Sequence, residues 1–371
     1  MSKILRLNKS AEECVRELLK FLLENGKVSG VVTLIRTDNG GVAYSLITDP
    51  IVLEEALPLF PLMPANAGKI LSRSTLRESS SKPIAAVMRP CELRAFVELL
   101  KLQQGSPDNF LFISLTCGGV YPLEMAINGN IEEKLPLYWD SIKKDEIVPD
   151  IRPACSACEH FVPYNADITA ALIGNKNVDK QCEIFLNTDK GKQFAASIPG
   201  ELAKGVVESE IIENLRSKRQ AKKQELFDES GIEGFDLQEG FDIQKVFDKC
   251  IGCHNCSKVC PACYCRVCFF DSGGDEHDPH YYETELEKRG CVPILPDTTF
   301  YQLLRLYHVS TSCTGCGLCG DVCPVNIPLW AVALKTSEAV QKAFDYLPGR
   351  DIEEGIPLTT FRPEEFAGVV E

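Results

Sequence analysis

No apolar run in this chain is long enough to cross a membrane, and Met1-Ser-Lys-Ile-Leu-Arg-Leu-Asn lacks the apolar core of a signal peptide. A cytoplasmic protein with no membrane span is expected. Basic residues are the minority, 39 Lys and Arg against 53 Asp and Glu, for a net charge of −14. Phosphate backbones need a concentrated basic surface, so nucleic acid is not an expected partner. No ligand set for molybdenum, tungsten or nickel stands out, and no catalytic residue can be named. Cysteine, by contrast, is plentiful: eighteen residues, which without an export signal point to metal ligands rather than disulfides and to a protein of anaerobic chemistry.

Eight of these cysteines fall into two matching runs. The first is Cys250-Ile-Gly-Cys253-His-Asn-Cys256-Ser-Lys-Val-Cys260-Pro261. The second is Cys313-Thr-Gly-Cys316-Gly-Leu-Cys319-Gly-Asp-Val-Cys323-Pro324. Each is C-x-x-C-x-x-C-x-x-x-C-P, in which three thiolates of one loop and the fourth cysteine of the other close around a [4Fe-4S] cluster. On that pattern Cys250, Cys253, Cys256 and Cys323 hold one cluster, and Cys313, Cys316, Cys319 and Cys260 hold another. Gly252, Gly315 and Gly317 let the loops coil tightly. Paired C-x-x-C also serves zinc, but two complete runs that each end in Cys-Pro favour clusters.

Ahead of these runs the pattern is α/β. Ser10-Ala-Glu-Glu13 is a capping box, followed by Val15, Leu18, Leu19 and Leu22 at helical spacing, which predicts a helix from Ala11 to about Glu24. Gly30–Ile35 reads as a buried strand, with Ala43–Thr48 as its hairpin partner across Asp38-Asn-Gly-Gly. Pro83–Met88 and Phe110–Leu115 are apolar strands, each running into a loop that carries a cysteine, Cys91 and Cys117. A helix striped by Leu93, Phe96, Leu99, Leu100 and Leu102 lies between them. Such sheets carry their ligands at strand ends. Cys155-Ser-Ala-Cys158 adds a chelating pair. Spacing leaves two readings open for Cys91, Cys117, Cys155 and Cys158: the ligands of a third [4Fe-4S] cluster, or small hydrophobes in a core. Cys182–Thr188 reads as a strand with Asp189-Lys190-Gly191 as its turn.

Asn66, Gly68 and Lys69, within Ala65-Asn-Ala-Gly-Lys69, read either as a phosphate-binding turn or as an ordinary helix start. The charged stretch from about Glu208 to Glu225 reads as a solvated helix leading to a linker. Between the cluster runs, Gly273–His280 reads as a surface loop. Phe300, Leu303, Leu304, Leu306 and Tyr307 predict a helix feeding Cys313. Cys263, Cys265 and Cys268 are expected to pack beside the clusters, and Cys14, Cys182 and Cys291 in cores. His254 and His308 flank the clusters. The expected divisions are residues 1–205, an α/β unit; 206–240, a charged helical linker; 241–335, a mainly helical two-cluster ferredoxin-like unit; and 336–371, a tail.

Several segments together carry a family resemblance: Asn25-Gly-Lys-Val-Ser-Gly-Val-Val32, Pro64-Ala-Asn-Ala-Gly-Lys69, Arg89-Pro-Cys-Glu-Leu-Arg-Ala95, Leu115-Thr-Cys-Gly-Gly119, Cys155-Ser-Ala-Cys158, Ala166-Asp-Ile168, Cys260-Pro-Ala-Cys-Tyr-Cys265 and Asn326-Ile-Pro-Leu329. The chain resembles the β subunits of F420-dependent formate dehydrogenase, within the F420-reducing hydrogenase β-subunit family. The resemblance implies an α/β domain that binds FAD and a cluster held by Cys91, Cys117, Cys155 and Cys158, fused to the dicluster unit. It further implies hydride exchange between FAD and F420 or another carrier such as NAD(P), with single electrons passed to a catalytic dehydrogenase or hydrogenase subunit. One departure matters. Family members carry a glycine-rich stretch near the flavin just before the first helix, where this chain has Asn8-Lys-Ser-Ala-Glu-Glu13, and acidic residues there oppose an anion. The alternatives are a flavin-free conduit to a heterodisulfide-reductase-like partner, and an electron-transfer subunit of sulfite-reductase type.

Overall fold

The computed structural model describes residues 3–196, 198, 201–204, 209–232, 243–271, 278–290, 298–357 and 359. The chain opens with β1 (Lys3–Leu7) and α1 (Ala11–Glu24). Ser10 and Glu13 form the expected capping box, and Cys14, Val15, Leu18, Leu19 and Leu22 are buried along one stripe. β2 (Gly30–Arg36) and β3 (Val42–Ile47) pair as a hairpin, with Val31 opposite Ile47. Next come α2 (Ala67–Ser74), β4 (Ile84–Val87), α3 (Pro90–Lys101) and β5 (Phe110–Leu115). Pro90 suits the first turn of α3, where its missing N–H is not needed.

The chain then crosses through α4 (Leu123–Ile127), α5 (Ile131–Lys143) and α6 (Pro153–Ser156) to β6 (Ile168–Ala171). β7 (Cys182–Leu186), α7 (Asp189–Phe194) and β8 (Glu201–Lys204) complete an eight-stranded sheet in the order β3-β2-β4-β5-β6-β7-β1-β8. Its middle, β2-β4-β5-β6, is parallel, and the flanking pairs are antiparallel. The central strands are apolar runs because parallel strands are covered on both faces. Asp189-Lys190-Gly191 is not a turn. It opens α7, because the Thr188 hydroxyl accepts from the Gly191 amide at 3.0 Å and so caps a helix.

After α8 (Ser209–Glu229) the fold is helical among the described residues: α9 (Ile243–Phe247), α10 (Asn255–Val259), α11 (Pro279–Arg289), α12 (Thr298–Val309), α13 (Leu318–Asp321) and α14 (Leu329–Ala343). Phe227, Phe247, Phe270, Tyr301, Leu329 and Val332 build a second core there. The expected surface loop at Gly273–His280 lies mostly outside the described residues, and its end starts α11, capped by Asp278. The expected boundary after residue 335 falls inside α14, so the helix is not divided there. Beyond α14 the chain returns to the first unit. The Arg94 Nε donates to Pro348 O at 2.8 Å, and Glu98 accepts from Tyr346 Oη at 2.6 Å and the Gly349 amide at 2.7 Å. Among the described residues, no helix is long and apolar enough to cross a membrane.

Candidate metal centres

Cys250, Cys253, Cys256 and Cys323, separated by up to seventy-three positions in sequence, line one small cavity with His254, Gln302 and Val325. Left-handed Gly252 (φ 64°) coils the first loop around it. The sulfurs have donors: Gln302 Nε2 lies 3.6 Å from Cys250 Sγ and 3.9 Å from Cys256 Sγ, Tyr301 Oη 3.7 Å from Cys256 Sγ, and the Ile327 amide 3.3 Å from Cys323 Sγ. Cys253 is exposed.

Cys260 sits near Cys313, Cys316 and Cys319, the second set that the sequence groups together. Gly315 and Gly317 take positive φ, and a Cβ on Gly317 would lie 2.5 Å from Ala154 Cβ, so glycine also allows this loop to press on α6. Burial pushes the Cys313 and Cys316 thiols up, and Cys319 to about 12. Among the described residues no three His, Cys, Asp or Glu side chains converge on a point that would hold a single metal ion.

The third set assembles at the carboxyl ends of adjacent parallel strands. Cys91 enters α3 just after β4, Cys117 follows β5, and Cys155 and Cys158 come from α6 and the residues after it. Cys117 lies near Cys155 and Cys158, and Cys91 near Cys117 and Cys155. Burial raises Cys155 to about 11 and raises Cys91 and Cys117 as well. Buried Arg219 of α8 donates to the carbonyls of Cys117 (3.1 Å), Gly118 (3.2 Å) and Cys158 (3.3 Å) and stacks over Phe161. The charged helix is therefore not merely a solvated linker. One face carries Arg219 against this site and packs Ile212 and Leu215 into the first core.

The third set also touches the second. Cys91, Cys155 and Cys316 pack on one apolar cluster with Met63, Val120 and Leu318. Arg152, 1% exposed, pairs with Asp321 at 2.6 Å and donates to Cys316 O at 2.9 Å. Asp321 lies inside the second cysteine run, and Arg152 directly precedes Pro-Ala-Cys155, so adjacency to the ligands was the one sequence signal for this pair. Arg219 gave none, hidden in a run of exposed charge.

Asn66, Gly68 and Lys69 have other work. Asn66 caps α2 by accepting from the Lys69 amide at 3.2 Å. A Cβ on Gly68 would lie 2.3 Å from Glu92 O, so glycine here lets α2 pack on α3. The Lys69 ammonium donates to the carbonyls of Ser257, Lys258, Cys260 and Cys263 at 2.7–3.3 Å, clamping the first cysteine loop. Glu92 accepts from the amides of Ala67 and Arg89, both at 2.9 Å, which puts a carboxylate at the N-termini of α2 and α3. At α1, Glu13 closes the capping box, and half-buried Glu12 has its carboxyl pushed up to about 7 by desolvation. A flavin phosphate fits at none of these three helix starts: each amide end already faces a carboxylate or its own cap, and Lys69 is fully engaged elsewhere.

The other side chains named from the sequence divide between core and surface. Phe300, Leu303 and Tyr307 of α12 are exposed, and the buried face is Tyr301, Gln302, Arg305, Leu306 and Val309. Cys265 is exposed and does not pack in a core, whereas Cys263 and Cys268 are half-buried. Cys14 and Cys182 are fully buried, and Cys291 lies outside the described residues. His254 stacks on Tyr301 at 4.1 Å, and His308 is exposed.

Residues 247–327 match the family model of the 4Fe-4S dicluster domain, and residues 81–214 match that of the C terminus of the coenzyme F420 hydrogenase/dehydrogenase beta subunit. The chain is 27% identical over 369 residues to the F420-dependent formate dehydrogenase subunit β of Methanocaldococcus jannaschii, covering 91% of each. It is 28% identical over 384 residues to the F420-dependent formate dehydrogenase 1 subunit β of Methanococcus maripaludis, again 91% of each. A chain of the F420-reducing [NiFe] hydrogenase complex from Methanosarcina barkeri aligns with a TM-score of 0.47 at 16% identity, over 65% of this chain and 94% of that one.

Proposed function

As a relative of the coenzyme F420 hydrogenase/dehydrogenase β subunits, the chain is, we propose, an electron conduit of a formate dehydrogenase or hydrogenase type complex. Three [4Fe-4S] clusters would be held by Cys91, Cys117, Cys155 and Cys158; by Cys260, Cys313, Cys316 and Cys319; and by Cys250, Cys253, Cys256 and Cys323. When bound, such clusters supply one-electron transfer. Residues 1–205 form the α/β unit of this reading, with 206–240 joining it to the dicluster unit.

The observation that carries the reading is the order of the three sets in space. Cys91 and Cys155 share an apolar cluster with Cys316, and Arg305 is an electrostatic neighbour of Cys256 of the outer set and of Cys260 and Cys319 of the middle one. The path runs from buried Cys117 to exposed Cys253, where a catalytic dehydrogenase or hydrogenase subunit would dock. The chain's own residues set the path: Arg152–Asp321 and Lys69 fix the spacing, and apolar Met63, Val120 and Leu318 exclude water from the junction.

Flavin is left out of this path because the helix starts do not fit its phosphates. The test is cofactor extraction from anaerobically purified protein, with iron measured beside it. Full iron with no stoichiometric flavin is expected. Stoichiometric FAD would overturn the flavin-free reading and favour a second one, hydride-to-electron conversion with F420 or NAD(P). That second reading has a specific observation of its own: a cavity of about 450 Å³ beside Cys263, lined by Arg73, Lys258, Tyr264, Phe270 and Tyr301, is of ligand size and cationic.

A further inference from the structure

Helix α12 exposes three large apolar side chains, Phe300 at 56%, Leu303 at 42% and Tyr307 at 69%, and buries Arg305 at 5%. Burying a guanidinium is costly unless negative charge or hydrogen bonds meet it. Arg152 meets a carboxylate, Asp321. Arg305 instead faces sulfur. It lines one cavity with Cys263, Lys69 and Tyr301, its Nε is buried with no hydrogen-bond partner among the described residues, and the sulfurs of Cys256, Cys260 and Cys319 are its electrostatic neighbours. Cys256 belongs to one ligand set, Cys260 and Cys319 to the other.

We infer that Arg305 is a positioning residue shared by the two ferredoxin-like clusters, a fixed positive charge between them that raises both reduction potentials together. This rests on the cluster assignment proposed above and goes beyond it. Net charge and hydrogen bonds at the sulfurs set cluster potentials, and each reduction adds one negative charge to a site that Arg305 adjoins. One cation reaching two sites moves both in the same direction. Lys69 is the internal contrast. Its ammonium donates to the carbonyls of Ser257, Lys258, Cys260 and Cys263, and the one ligand sulfur it neighbours electrostatically is that of Cys260, in a single set.

The test is an anaerobic redox titration of the iron-loaded full-length chain followed by electron paramagnetic resonance, with iron content measured on the same samples. Arg305→Gln and Arg305→Met are expected to lower both dicluster potentials by at least tenfold in reduction constant, about 59 mV for a one-electron couple. Arg305→Lys, which keeps the charge, stays within roughly threefold, about half that shift. Lys69→Met lowers one potential only. The inference is overturned if both neutral variants load iron and leave the potentials unchanged, if they lower only one, or if Arg305→Lys shifts as far as Arg305→Gln. Should both neutral variants lose iron, full loading of Arg305→Lys supports the charge as the requirement, and its loss as well overturns it. Cluster loss confined to the Cys91–Cys158 set, with the dicluster pair intact, would fault the three-cluster path and leave this inference standing.

Discussion

The Cys250–Cys323 set and the Cys91–Cys158 set differ in what surrounds them. The first is wrapped by a single coiled loop and one returning cysteine, meets uncharged donors from Tyr301 and Gln302, and opens to solvent at Cys253. The second is assembled from two strand ends and a crossover, and it is walled by the buried guanidiniums of Arg89 and Arg219. Local coiling makes a site that needs little of the fold. Strand ends make one that needs the sheet around it, with Cys117 buried and Cys91, Cys155 and Cys158 half-buried.

That contrast can be broken by mutation. The largest effect is expected from Cys155→Ser, which removes about a third of the iron and leaves the dicluster signals in place, because the strand-end site has a ligand set of its own. Loss of every iron signal together would show that the two regions do not assemble independently. Arg152→Ala comes next. It strands Asp321 without its partner at the junction of the two regions, for a cost of about 3–5 kcal/mol in unfolding free energy, measured by denaturant titration of the loaded protein. An unchanged midpoint would mean the regions are not coupled through this pair.

Lys69→Met removes an ammonium from four loop carbonyls and is expected to cost about 2–3 kcal/mol, with faster loss of iron from the dicluster than from the third site under a chelator. Equal rates at both would contradict its role as a clamp on the first cysteine loop. The smallest effect is at α1. Glu12 titrates near 7 in the folded chain, chiefly through desolvation, against about 4.3 unfolded, so the native state holds the extra proton between those values. Stability contributed there is fully present below the unfolded value and falls as pH rises through 7. Glu12→Gln should flatten that slope, which is on the order of 2 kcal/mol for a carboxyl that keeps some solvent contact. A slope identical to that of the parent protein would refute it.

The legible parts were those in which chemistry or period is local. The capping box at Ser10, the stripe of α1, the apolar strands and the cysteine runs all lie within a turn or a loop, and their ligand or packing logic can be read from spacing alone. β1 and β8 went unseen because each is short, and β1 finds its partners, β7 and β8, some 180 residues or more away. Lys69 stayed open between two readings because Gly-Lys after a capping asparagine looks the same whether the ammonium points at a phosphate or at a distant loop. In α12, aromatic and leucine residues marked the helix but not its inner face, where Gln302 and Arg305 are buried with Tyr301, Leu306 and Val309 while Phe300, Leu303 and Tyr307 face outward.

The return of the chain after α14 bears on kinetics. Pro348 and Gly349 pin the end of the dicluster unit to α3, while α8 and the Arg152–Asp321 pair hold its near side. A redox module fastened at one end swings, and its electron exchange then follows the viscosity of the medium. Fastened at both ends, it keeps a constant tunnelling gap, so internal transfer in this protein should run at the same rate in buffer and in concentrated glycerol.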